Sequence, residues 1–253
     1  MRALLPEFVD ELDEFGVHEF YASGWVEPGG VRVDFVASVD GSAQAAGRSA
    51  GLQTPGDNRV FAAQRDLADV VLVGAGTAVT EGYRGVRVPD RRRALRRRFG
   101  LGDALPIAVV SRRLALEPDT PLFTEALPEA PTLVITCAAA PRERRDALAA
   151  VGEVLVCGDD AVDLALARRM LEERGLRRIL CEGGPTLFAD LAVAGVVDEL
   201  CLSVTPFLVG PGPARILGGP AAWPAARDLR LVGLLEEDGA LFGRYRIAKE
   251  DRR

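Results

Sequence analysis

The chain is poor in the residues that make nucleophilic triads, disulfides and metal sites. Among 253 residues there is one histidine and there are four cysteines. His18 stands in a weakly patterned N-terminal region and reads as structural or solvated, so a His-containing catalytic triad is excluded and a His/Cys zinc site is disfavoured. Cys137, Cys157, Cys181 and Cys201 include no CxxC pair, and most lie in or beside strand-like apolar runs, where a thiol behaves as a small hydrophobe. This pattern reads as reduced thiols without disulfides, in a reducing cytoplasm. No apolar run approaches the ~20 residues of a membrane span. The first residues carry Arg2, then acids and no long apolar stretch, which is not the pattern of a secretory signal. Basic residues do not dominate either: 31 against 37 acids give a net charge of −6, so the field of the whole molecule favours neither nucleic acid nor anionic lipid.

What remains is the composition of a soluble globular protein, 48% hydrophobic and 27% charged. The length permits one large domain or two small ones. No repeat, low-complexity linker or convincing boundary divides it. The expected organisation is an N-terminal extension over 1–30, marked by Trp25 and Pro28-Gly29-Gly30, and a single domain over 31–253.

The regular pattern begins at Val31-Arg32-Val33-Asp34-Phe35-Val36, whose alternation predicts a strand ending in the turn Ser38-Val39-Asp40-Gly41. Residues 42–53 read as a loop. Thr54-Pro55-Gly56-Asp57 opens a helix to about residue 67, with Thr54 as N-cap, Pro55 at the first helical position and Asp57 at the positive helix end. Strands follow over 68–73, 106–110, 132–136 and 154–157, with helices over 141–150 and 162–174. The charged segment 82–104, with Arg91-Arg92-Arg93 and Arg96-Arg97-Arg98, reads as an irregular solvated insertion. From 54 to 194 strand and helix alternate, the mark of a mostly parallel sheet covered on both faces. The last strands, over 197–207, 229–235 and 241–247, have no helices between them, and Asp238-Gly239 makes a hairpin turn, so the sheet should finish antiparallel.

Two corners share one design. Gly74-Ala75-Gly76-Thr77 and Gly183-Gly184-Pro185-Thr186 each follow a buried strand and open a helix, offering free N–H groups and a threonine hydroxyl to an anion. Two such corners suggest a pyrophosphate or dinucleotide held between neighbouring strand ends, although the Rossmann fingerprint is absent: Val79 stands where its third glycine belongs. Ordinary tight turns remain the alternative. Ser111-Arg112-Arg113 at a strand end suits a 2′-phosphate, as guanidinium groups meet phosphate in a forked geometry, or is a solvated loop. Glu182 ends the strand before the second corner, where open α/β sheets place their ligands. Asp57 could cap its helix or, protonated by burial, hold a substrate's N–H groups. Arg65, two turns on, could meet an anionic substrate.

With these residues assembled, the chain resembles the pyrimidine reductase family of riboflavin biosynthesis, the reductase half of a bifunctional deaminase–reductase. The matching motifs are Ser38-Val39-Asp40-Gly41, Asp69 to Gly74 with Gly76-Thr77, Glu182-Gly183-Gly184-Pro185-Thr186-Leu187, and Val197-Asp198-Glu199-Leu200 with Pro206 and Gly210. The resemblance implies an α/β fold, a dihydrofolate-reductase-like three-layer sandwich. It implies NADP as cofactor and hydride transfer to a ribosylamino-pyrimidine phosphate, a small-molecule substrate, in a protein that commonly forms homodimers; the apolar run at 201–209 could be the pairing surface, or a strand buried in its own domain. Ala37, Gly74, Gly76, Thr77, Ser111, Gly183, Gly184, Pro185, Thr186 and Leu187 match the family's cofactor site, to which the residues themselves add Arg112. Ser49, Arg65 and Glu182 match its substrate contacts, and Glu182 and Asp57 are the catalytic candidates; no metal is expected. The chain lacks the zinc signature of a deaminase half. Gly82-Tyr83 stands where the family usually has Asp-Pro, with Arg84 and Arg87 nearby. A dihydrofolate or pterin reductase of the same fold, a non-catalytic NADP-binding protein, and nucleic-acid binding through residues 91–98 are the alternatives to weigh.

Overall fold

Strand β1 (Arg2–Leu5) and helix α1 (Glu14–Ala22) open the chain, followed by β2 (Val31–Ser38), a short 3-10 turn at Ser49–Leu52, α2 (Pro55–Asp66), β3 (Val70–Gly74) and α3 (Ala75–Thr80). Next come α4 (Asp90–Arg98), β4 (Ile107–Val110), α5 (Pro121–Thr124), β5 (Leu133–Thr136), α6 (Arg142–Ala149) and β6 (Glu153–Val156). The chain continues through α7 (Leu164–Glu173), β7 (Ile179–Cys181), α8 (Pro185–Val193), β8 (Glu199–Thr205), β9 (Leu229–Glu237) and β10 (Ala240–Ile247). This computed structural model describes residues 1–25, 30–212, 214–220 and 226–247; Pro28 and Gly29 of the expected extension lie outside the described residues.

The strands form one ten-stranded sheet in the order β1-β9-β10-β8-β2-β7-β3-β4-β5-β6. From β8 to β6 neighbours are parallel, whereas β10, β9 and β1 close one edge antiparallel. The expected mostly parallel sheet with an antiparallel finish is therefore present. Its two faces carry separate apolar layers. One gathers Val17 and Tyr21 of α1, Val60 and Ala63 of α2 and Leu148 of α6 over Val71, Val73 and Val109. The other sets Leu164 and Leu171 of α7 and Leu187, Phe188 and Leu191 of α8 against Val33, Leu72 and Ala108. A sheet covered on both sides needs strands apolar in both directions, which is why β3 reads as an unbroken apolar run.

Three expectations change in the structure. The N-terminal extension enters the sheet, its β1 pairing with β9. β8 lies between β10 and β2, with Cys201, Ser203 and Thr205 buried, so the strand part of the run at 201–209 is held within the sheet, and Pro206, Phe207 and Leu208 stand exposed after it. Segment 82–104 is not wholly irregular: α4 carries both arginine triplets. It has no apolar stripe to announce it. Instead Arg96, buried, donates to the carbonyls of Arg65, Asp66, Ala68, Gly102 and Ala104 at 2.7–3.2 Å, and Arg92 meets the Asp66 carboxylate at 2.7 and 2.8 Å. The bonds to Arg65 and Asp66 satisfy carbonyls at the C-terminal end of α2, which a helix leaves open. Beyond these, β2 is an interior strand of the sheet, and its Arg32 is turned away from water. Arg32 is fully buried against Glu199 at 2.8 Å and over the Trp25 ring at 3.9 Å. Asp34 lies on the same side beneath α2.

His18 is structural: its Nε2 lies 3.0 Å from Asp66 and its Nδ1 2.6 Å from the Glu14 carbonyl. The four cysteines are free and buried. Among the described residues no helix is long and apolar enough to cross a membrane and no cluster could hold a metal.

Candidate active site

A cleft of about 1480 Å³ opens at the carboxyl ends of β2, β7, β3 and β4. This exceeds the ~300–1,000 Å³ of an ordinary small-ligand pocket, leaving room for two ligands side by side.

One end is built from the two glycine corners. β7 and β3 are hydrogen-bonded neighbours, and the Gly74 N–H donates to the Gly183 carbonyl at 2.7 Å, so the corners are tied directly together. The contact depends on glycine. A Cβ on Gly184 would lie 2.3 Å from Thr77 Oγ1, and one on Gly183, where φ is +88°, would lie 2.8 Å from the Phe35 ring. A Cβ on Gly76 would meet nothing within 4 Å, since that residue faces the open cleft. α8 begins at Pro185 with Gly184 as an N-cap that provides no side-chain bond, so the N–H groups of its first turn stay available to an anion. Thr77, Thr186 and Leu187 line the same wall, as do Ser111, Arg112 and Arg113 beyond the end of β4. Ser111 is buried and both arginines are exposed. These donors and cations fit the phosphates of a dinucleotide. Ala37 is not part of the wall; it is buried behind it, its carbonyl accepting the Thr205 hydroxyl at 3.3 Å, and Phe35 and Val36 face the cleft instead. Gly183 is likewise behind the surface, shaping the corner.

The other end is organised around Glu182. Its Oε1 accepts Arg65 Nε and its Oε2 accepts Arg65 Nη2, both at 2.7 Å, and Oε2 also accepts the Tyr83 hydroxyl at 2.6 Å. Arg65 is further fixed over the Phe61 ring at 4.5 Å. Burial works against its charge, but the Glu182 carboxylate overrides this and holds the guanidinium protonated above its usual range. Among the described residues Arg65 Nη1 has no acceptor, which leaves one edge of the guanidinium for an anionic group. Glu182 thus positions a cation and a phenol; its oxygens are engaged by the protein. Gly82-Tyr83, a departure from the family pattern, has a structural role here: Tyr83 completes the Glu182 cluster.

Asp57 is buried in the same wall. Its N–H takes the Thr54 cap at 3.1 Å, and burial raises its carboxyl above the usual range, opposed by a bond to Ser203. Ser49 also lines the cleft, but its N–H and hydroxyl both donate to Glu81, at 3.1 and 3.3 Å. Sequence reasoning misses Glu81, Tyr83, Gln64 and Asp34. Asp34 lines the cleft and accepts Gln64 Nε2 at 2.7 Å. Burial pushes its carboxyl up to about 8, the negative charge of Asp57 adding to the effect, the Gln64 bond opposing it, Glu182 adding again and Arg32 opposing. The available signal was a carboxylate inside a strand flanked by others of a parallel sheet, where a solvent-facing side is scarce.

The sequence model described as the RibD C-terminal domain matches residues 30–237. The 2,5-diamino-6-ribosylamino-4(3H)-pyrimidinone 5′-phosphate reductase of Methanothermobacter thermautotrophicus is 31% identical over 180 residues, 71% of this chain and 79% of that protein. A pyrimidine reductase-like protein of Corynebacterium diphtheriae superposes with a TM-score of 0.82 at 28% identity, covering 92% of this chain and 99% of that one. The riboflavin biosynthesis reductase of Saccharomyces cerevisiae shares the fold, with a TM-score of 0.64 at 14% identity over 87% of this chain and 90% of its own.

Proposed function

The chain belongs to the RibD C-terminal domain family, and on that premise we propose that it is an NADPH-dependent reductase of a ribosylamino-pyrimidine phosphate in riboflavin biosynthesis. The observation that carries this reading is the joining of two half-sites in one cleft. The tied glycine corners and the Ser111-Arg112-Arg113 edge form one half, and the rigid Arg65–Glu182–Tyr83 cluster forms the other.

The residues divide as follows. Gly74, Gly76, Thr77 and the first turn of α8 hold the pyrophosphate. Arg112 and Arg113 read the 2′-phosphate that separates NADPH from NADH. The nicotinamide supplies a hydride when bound, and the fold supplies proximity and orientation of the acceptor carbon. Arg65 offers Nη1 to an anionic group of the substrate, and Asp57 holds ring N–H groups. The sugar is opened and reduced to its ribityl form. The relative from Methanothermobacter is named for a pyrimidinone that keeps its 2-amino group. The buried carboxyl group of Asp57 suits a ring rich in N–H donors, so this substrate joins the deaminated uracil form as the pair to assay.

Steady-state NADPH oxidation with both ribosylamino-pyrimidine phosphates, and with dihydrofolate, tests the reading. Turnover of at least one of the former supports it. Turnover of dihydrofolate alone transfers the protein to pterin reduction, and tight NADP binding with no turnover makes it a non-catalytic binding protein. A homodimer in a cytoplasmic setting completes the proposal, and light scattering in solution checks the dimer.

A further inference from the structure

Asp34 and Glu182 stand on adjacent parallel strands. β2 and β7 pair Val31 with Ile179, Arg32 with Leu180 and Val33 with Cys181, so one register step further sets Asp34 beside Glu182. Arg32 and Leu180, one pair earlier on that face, lie under α1 and α2, so both carboxyl groups project to that side, where Asp57 also lines the cleft. Like charges gathered on one wall disfavour one another, and a proton settles on the one with the weakest claim to its charge. Glu182 accepts three charge-stabilising bonds from Arg65 and Tyr83. Asp34 accepts one, from the Gln64 amide at Oδ1, and among the described residues Oδ2 has no protein donor. The proton therefore belongs to Asp34, on a carboxyl group that lines the cleft.

We propose that Asp34 is the proton donor of the reduction. The assignment rests on the reductase reading above. The sugar carbon C1′ receives the hydride of a reduced nicotinamide nucleotide, and a new C–H bond forms. The bond from C1′ to the sugar ring oxygen breaks, and that oxygen keeps the electron pair and takes the Asp34 proton to become a hydroxyl. The sugar carbon is reduced, the nucleotide leaves oxidised, and Asp34 leaves as the carboxylate, to be reprotonated from solvent through the open cleft. The groups around it are Asp57 on α2, Glu182 after β7, Cys201 on β8, Tyr21 on α1 and Arg32 on β2 itself, with Cys181 of β7 on the opposite face of the sheet. Burial and the like charges of Asp57 and Glu182 favour the neutral acid against Arg32 and the Gln64 bond, and hold the proton up to about pH 8.

The test combines kinetics with a readout that needs no substrate. Infrared difference spectra of the wild-type protein, titrated against Asp34→Asn, show a protonated-carboxyl band near neutral pH that vanishes as pH rises through about 8. Asp34→Asn, a near-isosteric change, lowers kcat by about 100-fold, the low end of general acid catalysis, with the NADPH Kd held within about threefold. The loss of kcat in the wild type above pH of about 8 disappears in the variant. A wild-type protein without the band near neutral pH overturns the assignment, as does a variant with unchanged kcat or the same alkaline loss. No turnover of either pyrimidine by the wild type instead overturns the parent reading, which separates the two failures.

Discussion

Replacing Glu182 by glutamine keeps the shape of the side chain and removes the charge that holds the Arg65–Tyr83 end of the cleft together. The wild-type carboxylate accepts Arg65 twice at 2.7 Å and Tyr83 once at 2.6 Å, and its side chain is 3% exposed. In Glu182→Gln the amide oxygen can accept only on one side, and its NH2 points a donor at groups that are themselves donors. A lost hydrogen bond to a charged group costs ~1.5–3 kcal/mol. Breaking a buried ion pair costs ~3–5 kcal/mol, but the Arg65 side chain is 25% exposed. Water screens part of its stranded charge, so the lower figure applies and the two costs overlap. The expected loss is about 2–3 kcal/mol, which at ~2–4 °C per kcal/mol for a chain of this size lowers Tm by roughly 4–12 °C. Thermal and urea unfolding followed by circular dichroism measure it. With Arg65 no longer fixed, kcat falls by more than tenfold, while affinity for NADPH changes little because the glycine corners are untouched. The double variant Arg65→Met, Glu182→Gln recovers part of the stability, since neither charge is then left alone. A Tm within about 1 °C of wild type, together with an unchanged kcat, would refute the view that Glu182 organises this end of the cleft.

Other consequences are independent of that one. Arg112→Ala combined with Arg113→Ala weakens NADPH at least tenfold and leaves NADH binding unchanged; equal losses for the two nucleotides would show that these arginines do not read the 2′-phosphate. Gly184→Ala brings a Cβ to 2.3 Å from Thr77 Oγ1, so the Thr77 hydroxyl must leave its place on the cleft wall: nucleotide affinity falls and stability drops by about 1–3 kcal/mol, read by titration calorimetry and urea melts. Arg96→Ala, which orphans carbonyls at the end of α2, lowers Tm strongly with no effect on the NADPH-to-NADH ratio. Stability should also fall as pH rises from about 4 towards 8, because folded Asp34 keeps a proton that the unfolded chain releases near its ordinary carboxyl value. Asp34→Asn therefore unfolds later than wild type at pH values above about 8, and a variant no more stable there would count against the burial of that acid.

The strand and helix plan is legible in the sequence because it is written in short-range signals. Thr54-Pro55-Gly56-Asp57 states a helix start, and the structure shows the Thr54 hydroxyl accepting the Asp57 N–H. The apolar run before each glycine corner states a buried strand, and the two corners do meet, through Gly74 and Gly183. What the sequence hides depends on long-range partners. α4 has no apolar face because its support comes from Arg96 and Arg92 reaching the end of α2. Asp34 and Arg32 look like the wet side of a strand until the sheet order makes β2 an interior strand. Tyr83 looks like a mere departure until its hydroxyl is found on Glu182, 99 residues away. Ala37 matches a family position, yet here the cleft wall is formed by its neighbours Phe35 and Val36.

The central claim is that one cleft brings a reduced nicotinamide nucleotide to the sugar carbon of a ribosylamino-pyrimidine phosphate. It is tested most directly by following the hydride. The purified protein is incubated with NADPH deuterated at the transferring position and with each pyrimidine in turn, and the product is analysed by mass spectrometry and NMR. The account predicts one deuterium, located on the ribityl C1′, with one NADPH oxidised for each product molecule. Consumption of neither pyrimidine, or a product carrying no deuterium at C1′, would contradict it.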